Sequence, residues 1–493
     1  MLDRAVAILV GMAMIVAGCA PVSSGSRADV AAASRARPNI IVIVADDLGY
    51  ADISAYGVER IKTPNIDRIG NEGVKFTDGY ASAPVCAPSR AGLQTGRYQQ
   101  RFGFEFNNGP GRRDAQQNLG LDPKEITIAQ ALKGVGYHTG IVGKWHLGSN
   151  ADYYPTNRGY DEFVGILTGA TSYIDPDVPG VEIYHPRGDA SINGAGLMRR
   201  SEFNQVFEGA EKRIVHNEKE YLTDYFGRRA VDYIDRNAKA ADPYFLYLAF
   251  NAPHDPFMVT KKYYDRFPQI ADRQMRIYAA MISALDDQVG QVLDAVERSG
   301  EADDTMVVFL SDNGCAAYFP GLCACEPLRG GKLTHYEGGV RVPYMIRWPR
   351  AMAGGQVYRE PVTALDIFPT AMAAGGAALA NDRTYDGVDL LPFLTGEKQG
   401  TPHDALMWRR APMVSIRKGD WKLWKHLDGD FTLLFNLRDD PNEQTNLAER
   451  HPDKLRELEQ GIEQWSKDLQ DPKWPTKTMI EYDVCGTPLR LPV

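Results

Sequence analysis

The chain has 493 residues, 64 acidic side chains against 55 basic ones, a formal net charge of −9 and 44% hydrophobic residues. That length supports one large domain with a smaller companion. The acidic balance argues against a nucleic-acid partner, so any site for an anion has to be built locally.

The chain opens "MLDRAVAILVGMAMIVAGCA", a short segment with Arg4, an apolar run from Ala5 to Val16, and then "VAGC". The run is too short for a comfortable membrane span and has the form of a signal peptide. Its end resembles a bacterial lipobox. This implies lipidation of Cys19, in preference to an ordinary cleaved signal peptide, and an exported lipoprotein, periplasmic or outer-membrane anchored, that meets the membrane through its lipid alone. Residues 1–19 are therefore expected to be signal, and the small polar residues 20–36 a tether. No later apolar run is long enough to span a bilayer.

From residue 37 short apolar runs alternate with helical patterns: "NIIVIVADD", "YHTGIVGKWH", "YFLYLAFNAPH" and "TMVVFLSDNG", with "EITIAQALKGVG" and "YAAMISALDDQVGQVLDAVERSG" among the helices. Buried strands alternating with helices predict an α/β fold, a largely parallel sheet sandwiched by helices, with ligands at the carboxyl ends of the strands. The stretch from Thr171 to Arg213 has little periodicity and reads as a long surface insertion. After about residue 400, "MVSIRKGDWKLWKHLDGDFTLLFNL" predicts antiparallel strands turning at Gly419–Asp420 and Asp428–Asp430. Leu455, Leu458, Ile462, Trp465 and Leu469 then make the apolar stripe of a final helix. The division expected is 37–400 for a catalytic domain and 401–493 for an α+β companion.

Each apolar run delivers polar groups that a plain loop does not need. The first ends in Asp46 and Asp47, the last in Asp312 and Asn313. Taken singly, "ADD" is a helix cap and "SDNG" a tight turn. Recurring after matching strands, they compose a hard oxygen shell suited to Ca²⁺ or Mg²⁺, because adjacent buried carboxylates are costly without a cation. Lys144 and His146 end the second run, His254 the third, and Lys332 follows two glycines in "LRGGKLTHYEGGVRVP". Alone, each is an ordinary surface or core residue. Converging on a divalent cation, they describe a pocket for a tetrahedral oxyanion.

Cys86 begins "CAPSR", at a predicted helix N-terminus with Arg90 one turn on, and both features favour an anion there. A disulfide, a cysteine nucleophile and a precursor of something else are the competing readings. A cysteine hydrolase needs no metal, which would leave the carboxylates unused. The motif C-x-P-S-R, followed by "LQTGR", resembles the signature of the formylglycine-dependent type I sulfatases. "NIIVIVADDLGY", "TPNIDRI", "GYHTGIVGKWHLG", "PTNRGYDEF", "FNAPHDP", "LSDNG", "LRGGKLTHYEGGVRVP" and the C-terminal "IRKGDWKL" and "LFNLRDDPNEQTNLA" resemble its other segments in order, from Pro38 to Leu447.

The resemblance implies an alkaline-phosphatase-like fold and sulfate-ester hydrolysis. Cys86 would be converted to formylglycine by a formylglycine-generating enzyme, and its hydrate would be the nucleophile and a ligand of one Ca²⁺ held by Asp46, Asp47, Asp312 and Asn313. Arg90 and Lys144 would steady the hydrate and His146 would remove its proton. Lys332 and His254 would bind sulfate oxygens, one of them assisting the leaving alcohol. The expected substrate is a sulfated saccharide, with Tyr173, His185, Arg187, Arg199 and Arg200 of the insertion as recognition groups. A phosphonate or phosphodiester hydrolase of the same fold, and an unmatured glycan-binding lipoprotein, are the rival readings. Cys315, Cys323, Cys325 and Cys485 are expected to be structural, with at least one disulfide among them rather than four free thiols.

Overall fold

The computed structural model describes residues 37–493 apart from 109–115, 185–198, 201–204, 320, 324–326, 430, 475, 477–478 and 493. The expected signal and tether, Cys19, His185, Arg187 and Cys325 lie outside the described residues.

The main sheet is built from β1 (Asn39–Ala45), β2 (Val74–Phe76), β3 (His138–Lys144), β4 (Glu162–Ile166), β5 (Val206–Glu208), β6 (Arg213–Val215), β7 (Tyr244–Ala249), β8 (Thr305–Ser311), β9 (Tyr344–Arg347) and β10 (Gln356–Tyr358). Their order is β10-β2-β9-β8-β1-β7-β3-β4-β5-β6. The centre, β8 through β4, is parallel, while β9 and β5 run antiparallel to their neighbours. β1 is buried on both faces, which is why it reads as a continuous apolar run rather than an alternation. Ile41 and Ile43 pack in a cluster with α1 (Pro64–Asn71), α4 (Leu222–Asn237) and α5 (Arg273–Arg298), whereas Ile40, Val42 and Val44 pack with α3 (Ile128–Lys133). The mixed, mostly parallel sheet between helices is the architecture expected.

Register decides where chemistry collects. Ala45 pairs with Ser311, Val44 with Ala249 and Gly143 with Ala249, so β1, β8, β7 and β3 end level with one another. Gly143 makes this possible. It sits at φ +108°, and a Cβ added there would lie 1.9 Å from the Ala249 carbonyl oxygen. Gly143→Ala should therefore lower stability by about 3 kcal/mol or more, read as a fall in the urea unfolding midpoint. An unchanged midpoint would show that the two strands can part without cost.

The C-terminal sheet is antiparallel in the order β11 (Leu406–Arg410), β12 (Met413–Lys418), β13 (Trp421–His426) and β14 (Thr432–Asn436). Gly419 and Asp420 form the predicted turn between β12 and β13. The last long helix, Pro452–Ser466, buries Leu458 and Ile462 in a cluster with Val414, Ile416, Leu423 and Leu434. Leu469 lies beyond the end of that helix, so the predicted stripe runs one turn too far.

The insertion expected to lie on the surface needs correcting, because part of it is woven into the fold. Val181–Tyr184 pairs antiparallel with Phe257–Thr260, and Val206–Glu208 joins the main sheet as β5. Strands of three or four residues are too short for a period of two to show. Tyr173 and Arg200 are buried, not displayed: the Tyr173 hydroxyl donates to the carbonyls of Asn251 and His254, and Arg200 donates to the carbonyls of Tyr173 and Asn217. Tyr173 braces the loop carrying His254, Arg200 holds the backbone of Tyr173 in turn, and neither has surface with which to meet a saccharide. Arg199 is exposed and pairs with Asp177 at 2.9 Å.

Candidate active site

Cys86 is the first residue of α2 (Cys86–Thr95), after the extended Val85, as its motif predicts. It is buried and is the free cysteine among the described residues. Its Sγ lies 3.8 Å from Asp47 Oδ1. Ligand atoms of Asp46, Asp47, Cys86 and His254 all fall within 4.8 Å of one another. His254 is the member that residue-type reasoning placed with the sulfate rather than the cation.

Every other residue predicted for the site converges here. Arg90 donates from Nε to Asp312 Oδ2 at 2.8 Å and from Nη1 to the Lys144 carbonyl at 3.1 Å, and its Nη2 lies 3.7 Å from Asp46 Oδ1. Lys144 Nζ donates to Asp46 Oδ2 at 2.6 Å, and Lys332 Nζ to Asp47 Oδ2 at 2.8 Å and 3.2 Å from His254 Nε2. Asn313 Nδ2 donates to Asp47 Oδ1 at 2.8 Å, and the Asp47 amide donates to Asp312 Oδ1 at 3.2 Å. Asp47 at φ +62° and His146 at φ +58° occupy the left-handed region, a strain that pays off where a side chain must be aimed.

The charges are strongly coupled. Burial would raise Asp46, but Lys144, His254 and Arg90 hold it below the usual carboxylate range. Burial pushes Asp312 up to about 6 against the pull of Arg90, with Asp46 adding to the rise. Burial, then Lys144 and Arg90, depress His146 well below an ordinary imidazole, so it stands neutral at neutral pH. His254 is the reverse: although burial opposes it, Asp47 carries it up to about 10 and it holds its proton.

Two acceptors are left over. Asp46 Oδ1 and Asn313 Oδ1 are buried with no hydrogen-bond partner. Orphaned acceptors beside a second carboxylate are costly in a protein interior unless a cation takes them up. The orphaned acceptors and the Asp47 and Asp312 carboxylates beside them are hard oxygens, which suit Ca²⁺ or Mg²⁺ better than zinc, so these residues fit the divalent metal that the sequence implied.

Residue-type reasoning missed Asn107, whose Oδ1 accepts the Ala87 amide at 3.1 Å and caps the helix that Cys86 begins. It also missed Gly169, where a Cβ would lie 2.8 Å from His146 Cε1. Neither has a sequence signal beyond residue type. Beside the site, Cys315 and Cys323 form a disulfide with Cα atoms 6.3 Å apart, and Cys485 is disulfide-bonded too. The structural role expected of these cysteines follows.

A mostly parallel sheet between helices, with carboxylates, lysines and histidines gathered at the carboxyl ends of its strands, is the arrangement of an alkaline-phosphatase-like hydrolase. Residues 38–377 match the family model described as Sulfatase, and residues 331–470 match the C-terminal model of N-sulphoglucosamine sulphohydrolase. The chain belongs to the sulfatase family. It is 33% identical over 425 residues to mouse (Mus musculus) steryl-sulfatase, covering 75% of this chain and 67% of that protein. It is 32% identical to dog (Canis lupus familiaris) N-acetylgalactosamine-6-sulfatase, covering 78% of this chain and 71% of that one. Among solved structures, Ps i-CgsB in complex with k-i-k-neocarrahexaose superposes with a TM-score of 0.78 at 34% identity, covering 89% of this chain and 94% of that one. The protein is a sulfatase, an enzyme that hydrolyses sulfate esters.

Proposed function

We propose that this sulfatase removes sulfate from a sulfated carbohydrate, using formylglycine at position 86 and one Ca²⁺. The observation that carries the reading is Cys86 at the start of its helix beside Asp47, with two orphaned oxygens of Asp46 and Asn313 in the same cluster. Formylglycine would supply, as its hydrated aldehyde, an oxygen nucleophile for sulfur, and Ca²⁺ would supply Lewis-acid polarisation. Asp46, Asp47, Asp312 and Asn313 are the residues to hold the cation. Neutral His146 is suited to accept a proton from residue 86, and Arg90 and Lys144 to steady that residue. Protonated His254 and Lys332 are suited to the sulfate oxygens, with His254 able to give its proton to the departing alcohol.

The carbohydrate reading is supported by the saccharide complex of Ps i-CgsB. No helix among the described residues is long and apolar enough to cross a membrane. Export, lipidation at Cys19 and maturation by a formylglycine-generating enzyme belong to the same proposal. The test is sulfate release from defined galactan, glycosaminoglycan, fucan and ulvan oligosaccharides beside a steroid sulfate, an aryl sulfate and an aryl phosphate diester. Saccharide turnover at least about 10²-fold more efficient is expected, since remote hydroxyl and sulfate contacts contribute to transition-state binding. Preference for the steroid sulfate, or for the phosphate diester, would overturn the substrate class or the reaction respectively.

A further inference from the structure

Lys332 lies on the long connection between β8 and β9, whose regular piece near it is the single helical turn Glu337–Val340. On the catalytic side the connection is held by backbone bonds, from the Lys332 amide to the Cys315 carbonyl at 2.8 Å and from the Leu333 amide to the Pro84 carbonyl at 2.9 Å. On the other side it meets the C-terminal sheet through charge. Lys422, the second residue of β13, places Nζ 2.8 Å from Glu337 Oε1 and 3.0 Å from Glu443 Oε1, and all three side chains are fully buried. Glu443 Oε2 accepts the Glu337 amide at 2.6 Å, and the Glu443 carbonyl accepts from Arg329 Nη1 at 2.7 Å. A bond reaches the connection at Arg329 and another at Glu337, so Lys332 lies between two anchored points.

Two carboxylates and one ammonium in a dry interior are an expensive way to fill space, and apolar side chains would pack there at lower cost. What charge gives that apolar contact does not is a fixed register, since each bond has one partner and one direction. We infer that Lys422 and Glu443 are positioning residues for the active site: Lys422 on β13 and Glu443 in the segment after β14 hold the connection in the register at which Lys332 reaches Asp47 and the sulfate oxygens. The inference rests on the reading that Lys332 binds sulfate.

The test compares Lys332→Ala, Lys422→Met and Glu443→Ala in the full-length enzyme, with inorganic sulfate as competitive inhibitor. Lys332→Ala is the reference and should raise the inhibition constant for sulfate. Lys422→Met should raise it by about tenfold, because displacement of a binding group by an ångström or so is costly, and should speed hydrogen exchange in peptides covering 328–340. Glu443→Gln, which keeps an acceptor for the Glu337 amide, should recover most of what Glu443→Ala loses. Should Lys422→Met fail to fold, Glu443→Ala, in which Lys422 keeps its Glu337 partner, carries the same comparison. If Lys332→Ala weakens sulfate and neither Lys422→Met nor Glu443→Ala does, with only their melting temperatures lowered, the positioning role is overturned. If Lys332→Ala itself leaves sulfate inhibition unchanged, the role of Lys332 is overturned and the inference falls with it.

Discussion

Cys86→Ala should abolish sulfate-ester hydrolysis, with a loss in kcat on the order of 10⁴-fold or more, as for other covalent nucleophiles removed from intact sites. The fold should survive, because Sγ is held by a single long contact to Asp47 and its deletion leaves the ion pairs of Arg90, Lys144 and Lys332 in place. Mass spectrometry of the peptide containing residue 86, from enzyme made with a formylglycine-generating enzyme, should show the aldehyde in proportion to specific activity. A fully active preparation carrying only the unmodified thiol would end the proposed mechanism. It would return Cys86 to the reading of a plain cysteine nucleophile.

Asp312→Ala should be the most damaging substitution to stability and metal together. Asp312 accepts from Arg90 on one oxygen and from the Asp47 amide on the other. Its removal strands a buried guanidinium, which costs about 3–5 kcal/mol when one partner of a buried pair is deleted. The same change takes an oxygen donor from the cation shell, so Ca²⁺ content and the Ca²⁺-dependent rise in melting temperature should both fall. Asp312→Asn, which keeps the shape and one acceptor, should fold closer to wild type yet still lose metal affinity. Full Ca²⁺ occupancy and full rate in Asp312→Ala would remove it from the site.

The sequence was most legible where the physics is local. β1, β3, β7 and β8 show as apolar runs because both faces of each are buried, and a residue type at a strand end is visible without coordinates. Cys86, Arg90, Asp46, Asp47, Lys144, His146, His254, Asp312, Asn313 and Lys332 were all named as candidates this way, helped by the family motif, and the fold gathers them in one place. The insertion was misread for the opposite reason. Tyr173 and Arg200 are large and polar, a composition that suggests exposure, but their hydrogen bonds to backbone carbonyls 17 to 81 residues away make them interior braces.

By itself, then, the sequence determined the fold class, the strand ends and the inventory of reactive groups, since these follow from short-range periodicity and residue chemistry. Tertiary structure alone decided which of those groups touch. Strand register brings Asp46 and Asp312 to one edge, Asp47 rather than bare solvent meets Lys332, and a cluster of Lys422, Glu337 and Glu443 locks the connection that carries it. No window of sequence contains those contacts. Each joins residues far apart in the chain, and the protonation states of His146 and His254 depend on charges that only folding places around them.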